Sequence, residues 1–176
     1  YPADFIAEGI DQTRGWFYTM MVISTGCFDQ NPFKNAMCHG VILAKDGRKM
    51  SKRLKNYPNP MDLMQTHGSD ALRVALLASP VCKGEDIKFS EEAVRDVVRR
   101  YHLLFWNCLQ FYKTFTEIDH FSPTGDLGQP LDNVLDHYLL HELATLESDI
   151  KMWMESLDFS KIYSRIEVFI NVLSTW

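Results

Sequence analysis

Cysteine is sparse in this 176-residue chain and never paired: Cys27, Cys38, Cys82 and Cys108 stand far apart, with no CxxC and no histidine at ligand spacing beside them. No zinc-binding pattern and no disulfide framework is therefore indicated. No run of about 18 apolar residues is present to span a bilayer. The N-terminus also lacks the basic, apolar and small-residue zones of a signal peptide, so a cytoplasmic location is expected. The pattern G-x-x-x-x-G-K-[ST] is missing, so phosphate contacts would have to come from side chains rather than from a cradle of backbone amides. Internal repeats and low-complexity tracts are lacking too. The six histidines are assigned no chemistry on spacing alone, and no metal-ligating residue is assigned.

What is present is an ordinary soluble composition, 46% hydrophobic and 12% aromatic, enough for one large domain or two small ones. The sequence starts at Tyr1 without an initiator Met and stops at Trp176 inside an amphipathic pattern, so a piece of a larger protein is expected.

The run PADFIAEG suits a buried strand ending near Glu8, followed by a helix that Asp11 is placed to cap and that Trp16 to Phe28 make apolar over much of its circumference. The run from Met37 to Ala44 reads as a core strand closed by the turn signal KDG. A short helix then begins at Pro60 and ends at Gly68, another is capped by Ser69 and Asp70 and ended by Pro80, and a brief strand precedes Ser90. From there the apolar spacing predicts one helix over residues 90 to 115, a loop HFSPTGDLGQP, and two further helices, the second starting near Asp158. The pattern is α/β first and all-α after, the latter an antiparallel bundle.

Between Lys45 and Lys55 the chain gathers six of its eighteen Lys and Arg residues against one acid, Asp46, although its net charge is −5. Such crowding costs stability unless the charges are solvated or meet an anion. The plain alternatives are a solvated loop or an import or heparin-type patch. In open α/β sheets, however, ligands bind at the carboxyl ends of strands, so Glu8 and this loop are candidates to border one crevice. Within KMSKR, Lys49 and Lys52 are flexible point charges with the Ser51 hydroxyl between them, able to close over a polyphosphate, and Met50 anchors the segment by packing.

KMSKR at Lys49 to Arg53 resembles the KMSKS signature of class I aminoacyl-tRNA synthetases, as do the preceding strand and DGRK turn and the following KNYPNP and GSDALR stretches. EGIDQTRGWF at Glu8 to Phe17 is similar to the isoleucine-specific branch: Gln12, Arg14 and Gly15 suit it, whereas the valine branch typically carries D-I-x-F-F-W there and the leucine branch E-H-A. Arg53 stands where the signature often ends in Ser. The family's H-I-G-H element is missing, since only His39-Gly40 and His67-Gly68 occur, so the chain by itself is expected to be inactive.

The resemblance implies a division into residues 1–56, the C-terminal part of a Rossmann-like nucleotide-binding domain with the loop; 57–89, a small stem-contact region; and 90–176, the first helices of an anticodon-binding bundle. It implies activation of isoleucine by ATP with Mg2+ and transfer to tRNA(Ile). Lys52 would stabilise the departing pyrophosphate, helped by Lys49 and Ser51. Glu8 would hold the ammonium group of the aminoacyl-adenylate, Asp11 and Gln12 would lie beside it, and Trp16 would wall the side-chain pocket. Helix capping by Asp11 and a core position for Trp16 remain the structural alternatives. Arg95, Arg99 and His102, at i, i+4 and i+7 opposite the apolar stripe, read as a solvated face or, on the resemblance, as a contact for tRNA phosphates. A non-catalytic interaction module and the valine-specific enzyme are the competing readings.

Overall fold

The apolar run near the N-terminus forms β1 (Ile6–Gly9), which pairs in parallel with β2 (Ala36–His39), Ile6 opposite Ala36 and Gly9 opposite His39. This is seen in a computed structural model that describes residues 1–122 and 131–175. Parallel strands need a crossover, which is a 3-10 turn at Ile10–Arg14 followed by α1 (Trp16–Phe28). Phe17 is buried and meets the ring of Phe33 at 6.0 Å, and buried Ser24 donates to the Gln30 carbonyl at 2.5 Å while sharing a hydrogen bond with the Tyr1 hydroxyl.

Two expectations change here. Burial of this strand–helix unit is only partial: Ala7 and Glu8 of β1 are exposed, and so are Trp16, Tyr18, Val22, Ile23 and Phe28 of α1. A two-stranded ribbon is too narrow to cover a helix that is apolar on all sides. Asp11 does not cap the helix either. Gln12 does, its side-chain oxygen accepting the Trp16 N–H at 2.9 Å, because the intervening 3-10 turn moves the helix start to Trp16.

The expected strand from Met37 to Ala44 divides in two. β2 ends at His39, and β3 (Ile42–Leu43) pairs in parallel with β4 (Ile87–Lys88) in a separate two-stranded sheet. The switch occurs where the backbone of Glu85 passes against Gly40, so close that a Cβ on Gly40 would lie 2.0 Å from the Glu85 carbonyl oxygen. Gly40 donates its N–H to Val81 at 2.9 Å, and the Asp86 carboxylate accepts the Val41 N–H at 2.7 Å. Gly in a strand commonly marks such an approach. These elements lie in a compact unit of Tyr1–Leu63 with Ser79–Glu91.

The second unit, Met64–Ala78 with Glu92–Trp176, is helical. α2 (Pro60–His67) leads into it from the first, its N–H of Met61 capped by the Asn59 side chain at 3.1 Å. α3 (Ser69–Leu77) follows Gly68, whose φ is +86°. Ser69 and Asp70 make no cap here; both instead accept from Arg73, one turn on.

The single helix expected over 90–115 is α4 (Glu91–Val97), a π-helical stretch at Val98–Leu103, and α5 (Leu104–Ile118). The wider π turn shifts the helical phase, so His102 faces the apolar groove rather than the opposite side. Part of the loop HFSPTGDLGQP, residues 123–130, lies outside the described residues. α6 (Val134–Glu155) and α7 (Phe159–Thr175) form a helical hairpin, and α7 also packs on α5 and α3. Arg165 of α7 ties the hairpin by reaching Glu142 at 2.8 Å and Asp149 at 3.2 Å, which holds its guanidinium even more firmly protonated than usual.

Buried Tyr101 donates its hydroxyl to the Tyr163 carbonyl at 3.1 Å and to Glu167 at 3.2 Å. Burial first, and the Glu167 carboxylate second, push its pKa from 10.0 up to about 12. The folded state thus resists ionisation that the unfolded chain undergoes near pH 10, and the stabilisation present below that pH is lost between pH 10 and 12. Tyr101→Phe should cost about 1 kcal/mol at pH 8 and remove this alkaline component. Urea melts at pH 8 and 11 check it; an unchanged gap between wild type and variant would refute the assignment.

Candidate functional site

At the carboxyl end of β1 the sequence reaches Glu8 and Gly9, then turns at once into the 3-10 segment with Asp11 and Gln12. Parallel pairing brings Gly9 level with His39. A Cβ on Gly9 would lie 2.6 Å from an Asp11 oxygen and 3.4 Å from the His39 ring, so a side chain smaller than any other lets carboxylate and imidazole converge. His39 Nδ1 lies 2.9 Å from the Gly40 carbonyl, which only accepts, so Nδ1 carries a proton.

Gln12 organises this group: its amide nitrogen donates to Asp11 at 3.2 Å while its oxygen holds the Trp16 N–H. Glu8 and Asp11 are exposed, and Trp16 is 43% exposed with its ring 5.8 Å from that of Phe17. Asp11, Gln12 and His39 therefore converge at one strand end, with Glu8 and Trp16 as their exposed neighbours along the chain. Spacing alone does not reveal His39, because its partner strand is 27 or more residues away in sequence; its place before Gly40 at a strand end was the available signal.

The second group is the basic loop after β3. Ala44 is buried and anchors a tight turn, accepting from Gly47 at 2.8 Å and donating to Arg48 at 2.9 Å. Asp46 accepts the Arg48 N–H at 3.0 Å and its guanidinium at 2.6 Å; the backbone bond first and the side-chain bond second hold the Asp46 carboxyl below its usual range. The one acid of the loop is thus occupied by Arg48. The side chains of Lys49, Lys52, Arg53 and Lys55 form no ion pair or hydrogen bond among the described residues.

Asn56 clasps the loop from its far end, accepting the Ser51 N–H at 2.9 Å and donating to the Lys49 carbonyl at 3.3 Å. Between them the Ser51 carbonyl accepts from Leu54 at 3.1 Å and Lys55 at 3.0 Å, a single helical turn. Met50 is half-buried, in keeping with its expected anchoring role, and Lys49 and Lys52 are exposed. Beside this turn lies a cavity of about 320 Å³ lined by Lys52, Lys55, Tyr57, Asn59 and Pro60. Asn56 and Tyr57 carry parts of this arrangement that charge counting misses; an Asn just beyond a tight basic run is the usable signal, since its side chain readily bonds nearby backbone.

Asn56→Ala should free the loop, and trypsin should then cut between Lys49 and Lys55 about tenfold faster, the equivalent of about 1.4 kcal/mol of lost hydrogen bonding. Asn56→Asp keeps the acceptor and should fall between the two. Equal cleavage rates in all three proteins would mean that Asn56 clasps nothing.

Among the described residues no hydrogen bond or ion pair joins Lys49, Lys52, Arg53 or Lys55 to the strand-end group. In the helical unit Arg99 is paired with Asp96, and Arg100 lies 3.7 Å from Glu167. Arg95 is on α4, whereas Arg99 is on the π-helical stretch, so the two do not share the regular i, i+4 spacing. A groove of about 480 Å³ is lined there by Tyr101, His102, Phe105, Trp106, Tyr163 and Ile166 among others. No helix is long and apolar enough to cross a membrane, and no three His, Cys, Asp or Glu residues cluster as a metal site, among the described residues.

Known proteins match this sequence over the whole chain. The chain is 94% identical over 176 residues to isoleucine–tRNA ligase 2 of Pseudomonas fluorescens, covering 100% of this chain and 17% of that protein. It is 47% identical over 174 residues to isoleucine–tRNA ligase of Bdellovibrio bacteriovorus, covering 99% and 16% respectively. The chain thus spans about one sixth of the length of the curated relatives it matches. Among solved structures, LeuRS of Agrobacterium radiobacter K84, in a ternary complex with tRNA and LeuAMS, shares the fold with a TM-score of 0.74 at 22% identity, covering 98% of this chain and 22% of that one. The family model for tRNA synthetases class I (I, L, M and V) matches residues 1–90, which carry both the strand-end group and the basic loop. The chain belongs to the class I tRNA synthetases.

Proposed function

We propose that this chain is the part of an isoleucine–tRNA ligase that grips the phosphates of ATP and walls one side of the aminoacyl-adenylate site. The observation that carries the proposal is the clasped loop at the end of β3, whose Lys49, Lys52, Arg53 and Lys55 have no counter-charge while its one acid is taken by Arg48. In the complete enzyme the isoleucine carboxylate attacks the α-phosphorus of ATP, the bond to the bridging oxygen breaks, and pyrophosphate leaves with its electrons. The activated isoleucine then passes to tRNA(Ile). Catalysis of this step is positioning and charge stabilisation.

Lys52 meets the departing pyrophosphate, and Lys49 and Ser51 support closure. Glu8 holds the isoleucine ammonium and Trp16 walls the pocket. Gln12, already bonded to Asp11 and the Trp16 N–H, is the positioning residue behind them. Mg2+ has no fitting cluster of ligands among the described residues, so it would arrive as the counter-ion of ATP rather than in a cage of this chain's own. The proposed layout is residues 1–56 as the C-terminal half of a Rossmann-like domain, 57–89 as the stem-contact region and 90–176 as the start of the anticodon-binding bundle, in a cytoplasmic enzyme. The exposed apolar faces of α1 and α5 are then surfaces that the rest of the enzyme covers.

The test is exchange of radioactive pyrophosphate into ATP by the full-length protein. Isoleucine should drive it, valine far less, and the 176-residue chain alone, lacking an H-I-G-H element, should not exchange. Valine driving exchange better than isoleucine would overturn the substrate, and exchange by the short chain would overturn its dependence on the missing half. Arg95 and Arg99 are the proposed tRNA-phosphate contacts; replacing both with Gln should flatten the salt dependence of tRNA binding, and an unchanged slope removes them.

A further inference from the structure

Lys55 sits in the left-handed region with φ +48°, a conformation that side chains other than Gly or Asn rarely adopt without cost. Three other non-glycine residues share that feature, Asp29, His120 and Leu157, and each follows the end of a long α-helix. Lys55 instead closes one isolated turn in the basic loop, where Ser51 accepts its N–H at 3.0 Å and Asn56 immediately after it makes the two clasp bonds. Strained positions persist where their surroundings over-determine them, and they gather at functional sites. A glycine would satisfy the backbone here at lower cost.

The surroundings point to what the lysine adds. Lys52 and Lys55 line the same cavity, with Tyr57, Asn59 and Pro60 as its other walls and no carboxylate in the lining. Neither ammonium has an ion-pair partner among the described residues. Two cations sharing one cavity repel, and an anion carrying several charges relieves both. We propose that Lys55 is a second phosphate-gripping residue of this site, joining Lys52 on the β- and γ-phosphates of a nucleoside triphosphate and on the pyrophosphate released from it. This inference rests on the reading of the loop as the ATP site.

Lys55→Gly separates backbone from charge. It relieves the left-handed strain, so trypsin should cut the loop at Lys49, Lys52 and Arg53 no faster than in wild type. It also removes one cation, so in the full-length enzyme the KM for ATP and the Ki of inorganic pyrophosphate should each rise about tenfold. Lys55→Arg should restore both to within about threefold. A purely structural lysine predicts the same resistance to trypsin but nucleotide and pyrophosphate affinities equal to or better than wild type, and that result overturns the proposal.

Lys52→Ala, measured alongside, separates the two levels of failure. Weakened pyrophosphate binding in Lys52→Ala but not in Lys55→Gly rejects Lys55 alone. Unchanged binding in both rejects the loop as a polyphosphate site, and the inference falls with it.

Discussion

Lys52→Ala in the full-length enzyme should slow isoleucine activation about 100-fold, equivalent to about 3 kcal/mol of transition-state stabilisation, while the dissociation constant for isoleucine stays within about twofold. The asymmetry follows from where charge grows. As the bond to the leaving oxygen breaks, negative charge accumulates on pyrophosphate, and a cation placed there binds the transition state better than the ground state. Lys52 fits that task because it is exposed at the cavity and has no competing carboxylate, the loop's acid being committed to Arg48. Lys49 does not line that cavity, so Lys49→Ala should cost less. Pre-steady-state measurement of adenylate formation with pyrophosphate release separates chemistry from binding. Equal rates for wild type and Lys52→Ala would remove the central residue of the proposed mechanism.

Much of this site was legible because its chemistry is local. Six cations in one loop, a strand ending near Glu8 and a turn at Gly47 are all short-range patterns, and the structure carries each of them, the strand closing at Gly9. What escaped is what depends on distant or geometric partners. His39 joins Asp11 only because β1 and β2 pair in parallel, which no local spacing encodes. The helix start moved from Asp11 to Trp16 because a 3-10 turn intervened, which left the longer Gln12 side chain rather than the better-suited Asp11 bonded to the first helical N–H. The apolar stripe after Ser90 announced a helix correctly, but the π turn at Val98–Leu103 shifted its phase and carried His102 into the groove. Left-handed Lys55 was hidden for another reason: propensity assigns that conformation to glycine, and no local pattern signals that a lysine takes it.

Gly40→Ala should open the junction that sets this loop in place. The added methyl would sit 2.0 Å from the Glu85 carbonyl oxygen and 2.4 Å from its carbon, both backbone atoms with no rotamer to escape into. Either residues 85–88 or residues 39–43 must move. Movement strains three hydrogen bonds at once: Gly40 N–H to Val81 at 2.9 Å, Val41 N–H to Asp86 at 2.7 Å, and Ile87 N–H to the Val41 carbonyl at 3.0 Å. Overpacking of this kind costs about 1–3 kcal/mol and the weakened bonds about 1 kcal/mol more. Local opening should therefore become about 100-fold more frequent, read as faster amide hydrogen exchange at Val41, Ile87 and Phe89. Because β3 feeds directly into the Ala44 turn and then the lysines, the same variant should weaken ATP binding without removing a single charged group. Wild-type exchange at those three amides would show that the crossing has slack, and the loop's position would then have to be set by the Asn56 clasp alone.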